Sequence, residues 1–437
     1  MIIKNISILS FKDLSVRENM DLTIHEGRIR KISEAGEVPE PVSGITDGTI
    51  IDGTGKYIIP GLINAHAHTA MTLLRGVAED VNVGDWFNRH VWIYEQSLTP
   101  NDVYTGTLLG AAEMLLSGVT AVADHYFAMD RAFEAYEKSG MRANLAWAIF
   151  GTGSEADKQF ETAMDFTRYY KDKNPRILVS LGPHSPYICP ENFLKKVVLE
   201  SEKLNIPMHI HVSETEEQVV QSLERTGLTP VQVLDKTGVL RKETILAHAY
   251  WATDEDLKLI KQRGAGIAHC AKTYMKFGNV NDLLPRALKA GVKIAYGSDG
   301  LASNNTLNIF ETARDAALLS KCSTANPESG KIHKILPVLN RGSVIGLKNY
   351  GEIMEGALAD LVIIDPATPN MMPGYNIFAD ILYSLNNRNV DTVIVDGRVV
   401  VENGRLLTID VKKLQKEALV ISKRLVATVS DKPMQSY

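Results

Sequence analysis

The sequence contains few cysteines and no long apolar segment. Only three of its 437 residues are cysteines, Cys189, Cys270 and Cys322, and none belongs to a Cys-x-x-Cys pair. An odd number of distant cysteines argues against a disulfide framework and a thiolate zinc site, and it fits a reducing compartment. The apolar runs are far shorter than the ~20 residues that span a bilayer, and no apolar run near the N-terminus precedes a cleavage site. We therefore expect a cytoplasmic protein without a membrane segment.

The sequence also lacks a basic stripe. It carries 47 Lys and Arg against 52 Asp and Glu, which gives a net charge of -5. Proteins that bind nucleic acids concentrate cations on one face to pair with phosphates. We therefore expect no nucleic-acid partner, and instead a homo-oligomer that binds a small molecule.

Eight short apolar runs alternate with amphipathic stretches through the middle of the chain, as in α/β proteins with parallel strands. An open doubly wound sheet and a (β/α)8 TIM-type barrel both fit this alternation. The barrel is favoured because residues capable of chemistry follow many different runs rather than one switch point. The eight runs cover residues 61–65, 119–123, 143–149, 177–181, 207–212, 244–247, 265–268 and 292–296.

Both ends of the chain are strand-like. Residues 1–58 contain short apolar strands separated by turn signals, and this segment is too short for a sheet with its own full core. Strand patterns return at 357–364 and at 392–401, where Asp396-Gly397 indicates a hairpin. We predict a discontinuous β-sandwich domain from residues 1–58 and 357–437, with a closing helix at 411–429, flanking a catalytic barrel of residues 59–356.

Histidines and one aspartate follow four of the predicted barrel strands. His66 and His68 come directly after the first run, and residues at i and i+2 of an extended chain point to the same face. His211 lies at the end of the fifth run, His248 directly follows the sixth and Asp299 follows the eighth. Each pattern alone occurs often by chance, but together these side chains would meet at the C-terminal mouth of a barrel, where such folds carry active sites.

Imidazole and carboxylate ligands without thiolates suit zinc, with iron as a substitute. Such a metal lowers the pKa of a bound water to about 7. Glu214, three residues after His211, would accept that proton and pass it to a leaving nitrogen, while His248 would hold the water or the developing negative charge. His209 lies deeper in the same strand, and we interpret it as a packed core histidine.

Motifs along nearly the whole chain resemble the amidohydrolase superfamily, and within it the methylthioadenosine/S-adenosylhomocysteine deaminases. The resemblance implies a hydrolytic deaminase that converts a 6-aminopurine nucleoside to the inosine-type product and ammonia. It implies His66, His68, His211 and Asp299 as metal ligands and Glu214 as acid and base, with His248 as partner of the water. The matching segments are residues 60–68, 71–80, 182–187, 211–214, 297–305 and 356–362.

The resemblance also bears on the metal count and the nucleoside contacts. Many two-metal members carry a bridging lysine after the fourth strand, whereas residues 181–184 here are Leu-Gly-Pro-His, so we predict one Zn²⁺ per chain, or Fe²⁺. Glu95 occupies the place of the family's ribose-binding glutamate. A carboxylate suits this role because it can accept hydrogen bonds from two vicinal hydroxyls. His184 occupies the place of a purine contact, and Trp86 packs either on an apolar ligand or in the core.

Two departures affect the substrate. Trp147 stands where relatives that accept S-adenosylhomocysteine place an arginine, and residues 151–158 offer no arginine either, so a carboxylate tail would lose its bidentate partner. This favours adenosine, methylthioadenosine or 5'-deoxyadenosine over S-adenosylhomocysteine. The loop after strand seven also differs from the usual Asn- and Ser-rich version. Its Lys272, Tyr274 and Met275 either line the mouth or reflect drift in a supporting loop.

Two other functions stay open from the sequence. The same constellation acts in relatives on free bases, pterins or s-triazines, as a deaminase or chlorohydrolase. A non-catalytic barrel scaffold is the third hypothesis. A ribose contact at Glu95 would distinguish a nucleoside deaminase from an enzyme that acts on free bases, pterins or triazines. The metal content of the protein would distinguish an enzyme from a scaffold.

Overall fold

The structure, a computed structural model, describes residues 1–36 and 49–429. Within those residues, none of the helices combines the length and apolar character that crossing a lipid bilayer requires. The strands are β1 Ile2–Ser10, β2 Ser15–His25, β3 Arg28–Glu34, β4 Ile50–Asp52, β5 Tyr57–Pro60, β6 Leu62–His68, β7 Val119–Tyr126, β8 Arg142–Ile149, β9 Ile177–Pro183, β10 His209–Val212, β11 Ile245–His248, β12 Gly266–His269, β13 Lys293–Tyr296, β14 Asp299–Gly300, β15 Leu361–Ile364, β16 Val390–Val395, β17 Arg398–Glu402 and β18 Arg405–Leu406.

Helices fill most connections between these strands. A π-helix at Trp86–Val91 joins the first two of the α-helices, and a 3-10 helix at Thr69–Leu74 follows β6. The α-helices are α1 Val83–Asp85, α2 Trp92–Glu95, α3 Pro100–Leu116, α4 Met129–Ser139, α5 Ala156–Tyr170, α6 Glu191–Leu204, α7 Glu216–Thr226, α8 Pro230–Thr237, α9 Asp254–Arg263, α10 Ala271–Lys276, α11 Leu283–Ala290, α12 Leu301–Asn304, α13 Ile309–Ser323, α14 Ile332–Ile335, α15 Ile377–Tyr383 and α16 Val411–Thr428.

Each of the eight predicted apolar runs forms a parallel strand, β6 to β13. Hydrogen bonds join β14-β6-β7-β8-β9 in one sheet and β10-β11-β12-β13 in another. The amide of Leu181 donates to Pro207 O at 3.0 Å and links the two sheets between β9 and β10. At the other end, Asp299 directly after β13 pairs in parallel with Ala67 of β6. The (β/α)8 fold class is thus confirmed.

Local sequence signals explain where the outer helices begin and end. Thr229 and Thr253 cap α8 and α9 through capping boxes, in which the side chain accepts from the third helical amide. Gly238 and Gly264 follow the two helices with φ of 84° and 76°. Residues with side chains rarely adopt such left-handed values, so glycine ends each helix and returns the chain to the barrel.

Strands from both ends of the chain form one further sheet, in the order β18-β17-β16-β15-β5-β1-β2-β3, with β4 beside β1. The hairpin of β16 and β17 turns at Asp396-Gly397, where both residues have positive φ, as the Asp-Gly signal predicts. Buried Arg142 of the barrel strand β8 pairs with Asp360 and Asp396 at 2.9 and 2.8 Å, which ties this sheet to the barrel. The division of the chain into domains at residues 58 and 357 stays a prediction.

Small apolar residues fill the N-terminal end of the barrel. Val344 and Ile345, from the segment after α14, close this end, and both are buried. They pack against residues of the barrel strands, and this cluster contains Ile63, Ala65, Ala121, Ala123, Ile245, Ala268 and Ala295. The barrel is therefore a packed core at this end, and its chemistry lies at the other.

Candidate metal centre

The structure brings the predicted ligands together at the C-terminal mouth of the barrel. Asp299 Oδ1 lies 3.4 Å from both His66 Nε2 and His68 Nε2. His68 Nε2 in turn lies 3.3 Å from His211 Nε2. Two overlapping sets have all their donor atoms within 4.8 Å of one another: His66, His68 and His211, and His66, His248 and Asp299. Five side chains from four strand ends therefore surround one point.

Backbone strain accompanies this convergence. His248, Ala249 and Asp299 have φ values of 70°, 48° and 62°, and Ser213 beside the His211 strand end has 46°. Residues other than glycine seldom occupy this left-handed region, which costs of the order of 1–3 kcal/mol each. Such strain persists where the surrounding structure enforces it, and here it coincides with the strand ends that carry the site.

Hydrogen bonds at the Nδ1 atoms orient the histidines. His68 Nδ1 faces the carbonyl oxygen of His125 at 2.5 Å, and His211 Nδ1 faces that of His184 at 3.0 Å. A carbonyl only accepts, so each imidazole donates from Nδ1, and Nε2 is the nitrogen left to face the cluster. His66 Nδ1 contacts His209 Nε2 at 2.8 Å. All three Nε2 atoms thus face the common point, the arrangement typical of metal-ligating histidines.

Hydroxyl groups hold the carboxylate of Asp299. Its Oδ2 accepts from Ser303 Oγ at 2.8 Å and from Thr273 Oγ1 at 3.2 Å. Oδ1 is thereby left directed at His66 and His68. Burial alone would raise the pKa of Asp299, but the two imidazoles outweigh it and hold that pKa well below its ordinary range. Asp299 is therefore a fixed negative charge at the mouth.

The protonation states of the clustered histidines beside Asp299 favour the binding of a cation. Burial lowers the pKa of His66 to about 3 and that of His211 well below its ordinary value, so both imidazoles are neutral. Burial also disfavours a charged His68, yet Asp299 raises the pKa of His68 to about 9. His66 Nε2 is buried without a hydrogen bond to any described residue. A free donor atom beside a carboxylate that attracts positive charge fits a divalent metal ion.

Glu214 stands beside this cluster at the opening. Its Oε1 lies 3.7 Å from His248 Nε2, and its backbone amide donates to Gln218 Oε1 at 2.9 Å. Burial raises the pKa of Glu214, while His248 lowers it in part. About a quarter of the Glu214 side chain stays exposed. It therefore reaches both the cluster and an incoming molecule, as a proton carrier must.

His184 and Glu95 approach the same mouth. The ring of His184 stacks between Phe150 and His211, with centroids at 5.0 and 4.7 Å. Burial lowers the pKa of His184 to about 3, so this imidazole is neutral. Burial also raises the pKa of Glu95, which the Tyr126 phenol and His68 partly oppose. Both groups lie within the electrostatic reach of His68.

The two tryptophans make contacts of a different kind. Trp86 is half-buried, donates from Nε1 to the Ala302 carbonyl at 3.0 Å and meets Phe277 edge-on at 5.8 Å. It therefore joins the segment before α2 to the loops after β12 and β13. The ring of Trp147 packs on Phe166 of the outer helix α5 at 5.4 Å. The described contacts of Trp147 thus lie toward the helix layer.

Most side chains of the segment after β12 make contacts within the protein. Lys272 Nζ bonds Glu311 Oε2 at 2.8 Å and Thr306 Oγ1 at 2.9 Å. Tyr274 is buried and stacks on Tyr250 with centroids 3.7 Å apart. Met275 is exposed. These contacts favour the supporting-loop interpretation for Lys272 and Tyr274.

Sequence reasoning missed several residues that shape the site. His209, which we interpreted as a core histidine, is fully buried and also contacts His66. Asp124 accepts from the Thr69 amide at 3.0 Å and from the Tyr136 hydroxyl at 2.7 Å, which fixes the turn after His68. The adjacent His125 supplies the carbonyl for His68. Both follow the apolar run 119–123, and that position after a strand was the available signal.

Known proteins place the chain in a family. The model of the amidohydrolase family matches residues 57–400. A 5-methylthioadenosine/S-adenosylhomocysteine deaminase of Desulforudis audaxviator is 38% identical, over 94% of this chain and 95% of its own. A 5'-deoxyadenosine deaminase of Methanosarcina mazei is 34% identical, over 98% of this chain and 99% of its own.

Solved structures agree with this placement. A zinc-bound adenosine deaminase from Xanthomonas campestris superposes with a TM-score of 0.90 at 26% identity, covering 98% of each chain. An atrazine chlorohydrolase from Arthrobacter aurescens with bound zinc shares the fold, with a TM-score of 0.86 at 22% identity over 96% of this chain and 99% of its own. Together with the histidine and aspartate cluster, the zinc-bound adenosine deaminase supports a divalent metal. The chain therefore belongs to the amidohydrolase family.

Proposed function

We propose that this chain is a zinc-dependent hydrolytic deaminase of 6-aminopurine nucleosides, with one Zn²⁺ per chain. The observation that carries the proposal is the meeting of three histidine Nε2 atoms and Asp299 Oδ1 beside Glu214. The relatives named as deaminases of methylthioadenosine, S-adenosylhomocysteine and 5'-deoxyadenosine support the reaction class. Cytoplasmic location and homo-oligomerisation stay predictions.

His66, His68, His211 and Asp299 would hold the metal, and a bound Zn²⁺ lowers the pKa of a coordinated water toward 7. The residues around it fix the rest of the geometry. Asp299 is held by Ser303 and Thr273, and His68 and His211 are held by backbone carbonyls. These contacts restrict the four donors to one orientation, and no lysine stands after the fourth strand to bridge a second ion.

Glu214 carries the proton in this proposal. Its carboxylate accepts the proton that the attacking water loses and donates it to the amino nitrogen that leaves as ammonia. His248, 3.7 Å from Glu214, stabilises the negative charge that develops when the ring carbon becomes tetrahedral. Both groups lie at strand ends on the same side of the mouth.

Glu95 and His184 give the proposal its nucleoside specificity. Glu95 would accept hydrogen bonds from two vicinal ribose hydroxyls, and the neutral His184 would contact a purine ring nitrogen. The absence of an arginine at Trp147 and at residues 151–158 leaves a carboxylate tail without a bidentate partner. Adenosine, methylthioadenosine and 5'-deoxyadenosine are therefore the proposed substrates, ahead of S-adenosylhomocysteine.

A substrate panel tests the proposal, with ammonia release as the readout. It contains the three proposed nucleosides, S-adenosylhomocysteine, adenine, guanine, cytosine, a pterin and an aminated and a chlorinated s-triazine. We expect kcat/KM to be highest for an aminopurine nucleoside. Turnover confined to a free base, a pterin or a triazine would contradict the nucleoside proposal, and absence of zinc and iron from purified protein would favour a scaffold.

Glu95→Ala sharpens the same test. Loss of the ribose contacts should lower kcat/KM for the nucleoside while leaving any turnover of free adenine nearly unchanged. Glu18→Ala is the matched control, because this exposed carboxylate lies in β2, outside the barrel. Equal losses for nucleoside and base would remove the ribose role of Glu95.

A further inference from the structure

A second cavity lies at the N-terminal end of the barrel, opposite the metal centre. Its volume is about 630 Å³, and it is lined by Lys12 and by residues between Pro337 and Glu352. This segment docks on the starts of the strands, since the Ile63 amide donates to the Leu339 carbonyl at 2.9 Å. The strand β6 separates Ile63 from His68 by five residues, or about 17 Å of extended chain. The cavity therefore does not belong to the metal site.

Positive charge dominates the wall of this cavity. Arg341 and Lys348 line it, and neither side chain pairs with a carboxylate or makes a hydrogen bond among the described residues. Lys12 pairs with Glu352 at 3.1 Å, so these two lining charges cancel. The remaining ionic side chains give the cavity a net charge of plus two. Burial lowers the pKa of Arg341, and the nearby Tyr296 phenol partly opposes this shift.

A neutral donor on the same wall is also unused. Asn340 is 94% buried (its exposed fraction is 6%), and it lines the cavity. Its Nδ2 is buried and finds no hydrogen-bond partner in the part of the chain that the structure describes. Buried amide donors without a partner are rare, because leaving one unmade costs of the order of 1–3 kcal/mol. Asn340 is therefore a polar wall residue whose Nδ2 the described part of the fold leaves unused.

Packing holds Asn340 and Arg341 in place. The Tyr350 hydroxyl bonds to Thr120 at the start of β7, which fixes the far side of the cavity wall. A Cβ on Gly342 would approach Tyr350 Cβ to 2.9 Å, and one on Gly351 would approach the Asn340 carbonyl to 2.1 Å. Only glycine fits at these two positions, so the loop closes tightly around the polar wall. The wall is therefore built before any ligand arrives.

We propose that this cavity binds a phosphate dianion, either inorganic phosphate or a small phosphate monoester. The guanidinium fork of Arg341 matches two phosphate oxygens, and Lys348 adds a second charge. A phosphate monoester carries about -1.5 to -2 charges at pH 7, which balances the wall. The volume lies within the ~300–1,000 Å³ of small-molecule sites.

Thermal unfolding of the zinc-loaded enzyme tests this site. The probes are inorganic phosphate and glycerol 1-phosphate, each compared with sodium chloride at equal ionic strength and without excess zinc. Binding to the folded state alone should raise Tm by of the order of 2 °C at millimolar probe. A larger shift with one probe identifies whether the site takes the free ion or an ester, and either supports the proposal.

Variants assign the shift to the cavity. Arg341→Gln and Lys348→Gln should each lose most of the phosphate-dependent shift, and the exposed Lys348 is replaced without disturbing the core. Arg405→Gln is the matched control, because Arg405 is exposed in β18 and also unpaired among the described residues. Wild-type shifts in both cavity variants, or no shift in the unaltered enzyme with either probe, would overturn the proposal.

Discussion

The two ends of the same barrel strands are built for different purposes. Strand β6 begins with buried Leu62 and Ile63 and ends with His66 and His68. At its N-terminal end, alanines and the Val344-Ile345 pair form an apolar cluster, and Asn144 Nδ2 donates to the Ile345 carbonyl at 3.1 Å. At its C-terminal end, buried imidazoles, a carboxylate and left-handed residues crowd around one point.

This difference separates stability from chemistry along a single element. The apolar end contributes burial, since each methylene removed from water adds about 0.8 kcal/mol. The polar end holds free donor atoms and strained backbone, which cost free energy and persist because the packed end supports them. Changes at the mouth should therefore alter turnover or metal binding, whereas changes at the closed end should alter unfolding and leave turnover intact.

Glu214→Gln should give the largest effect. The amide keeps the size and the position beside His248 but cannot accept a proton, so kcat should fall by about 10²–10⁴-fold. Zinc content, measured on the purified variant, should match the unaltered enzyme, because Glu214 is not among the proposed ligands. Glu216→Gln, an exposed carboxylate in the first turn of α7, is the control. Retained turnover would exclude Glu214 as the proton carrier.

Asp299→Ala should lose metal, turnover or both. This change removes the only carboxylate among the four proposed ligands and leaves Ser303 and Thr273 without their shared acceptor. Metal analysis after dialysis and ammonia release report the two losses separately. Asp315→Ala, in the outer helix α13, is the comparison. A variant that keeps its full zinc content and its full rate would exclude Asp299 as a metal ligand.

The sequence predicted those features of the barrel that depend on the spacing of apolar residues and on position relative to a strand. Apolar runs predicted all eight barrel strands, because a strand buried on both faces needs continuous apolar residues. His66, His68, His211 and Asp299 stood out because each lies at the end of a run or shortly after one, and their role as ligands stays a prediction. The Asp396-Gly397 hairpin was found because that turn requires positive φ.

The contacts between distant residues were not predictable from the sequence. His209 had no signal for a bond to His66, because the two rings meet only when β6 and β10 face each other across the barrel. The same holds for Thr273, which reaches Asp299 from helix α10 after β12. Trp147 stands where relatives place an arginine, and its described ring contact is with Phe166, so a contact with substrate stays a prediction. Tertiary packing decides such orientations, and local pattern does not.

His209→Phe tests how far the mouth depends on its supporting residues. Phenylalanine keeps the ring in a fully buried position but removes the partner of His66 Nδ1, so His66 loses its fixed orientation. Zinc affinity should fall by about 10–100-fold, as for other second-sphere changes. Competition with a chelator measures this affinity. His333→Phe, away from the cluster in α14, is the control, and unchanged affinity would make His209 a packing residue only.

Ile345→Val should give the smallest effect, and it tests the closed end. Removing one buried methylene leaves a small void among Ile63, Ala121 and their neighbours, at a cost of about 0.5–1.5 kcal/mol in the free energy of unfolding. Calorimetry of the zinc-loaded variant should show a lower Tm, whereas kcat/KM for the best nucleoside and the zinc content should stay at their original values. A loss of turnover from this variant would mean that the two ends are coupled through the strands, and the division between a supporting end and a reacting end would then be wrong.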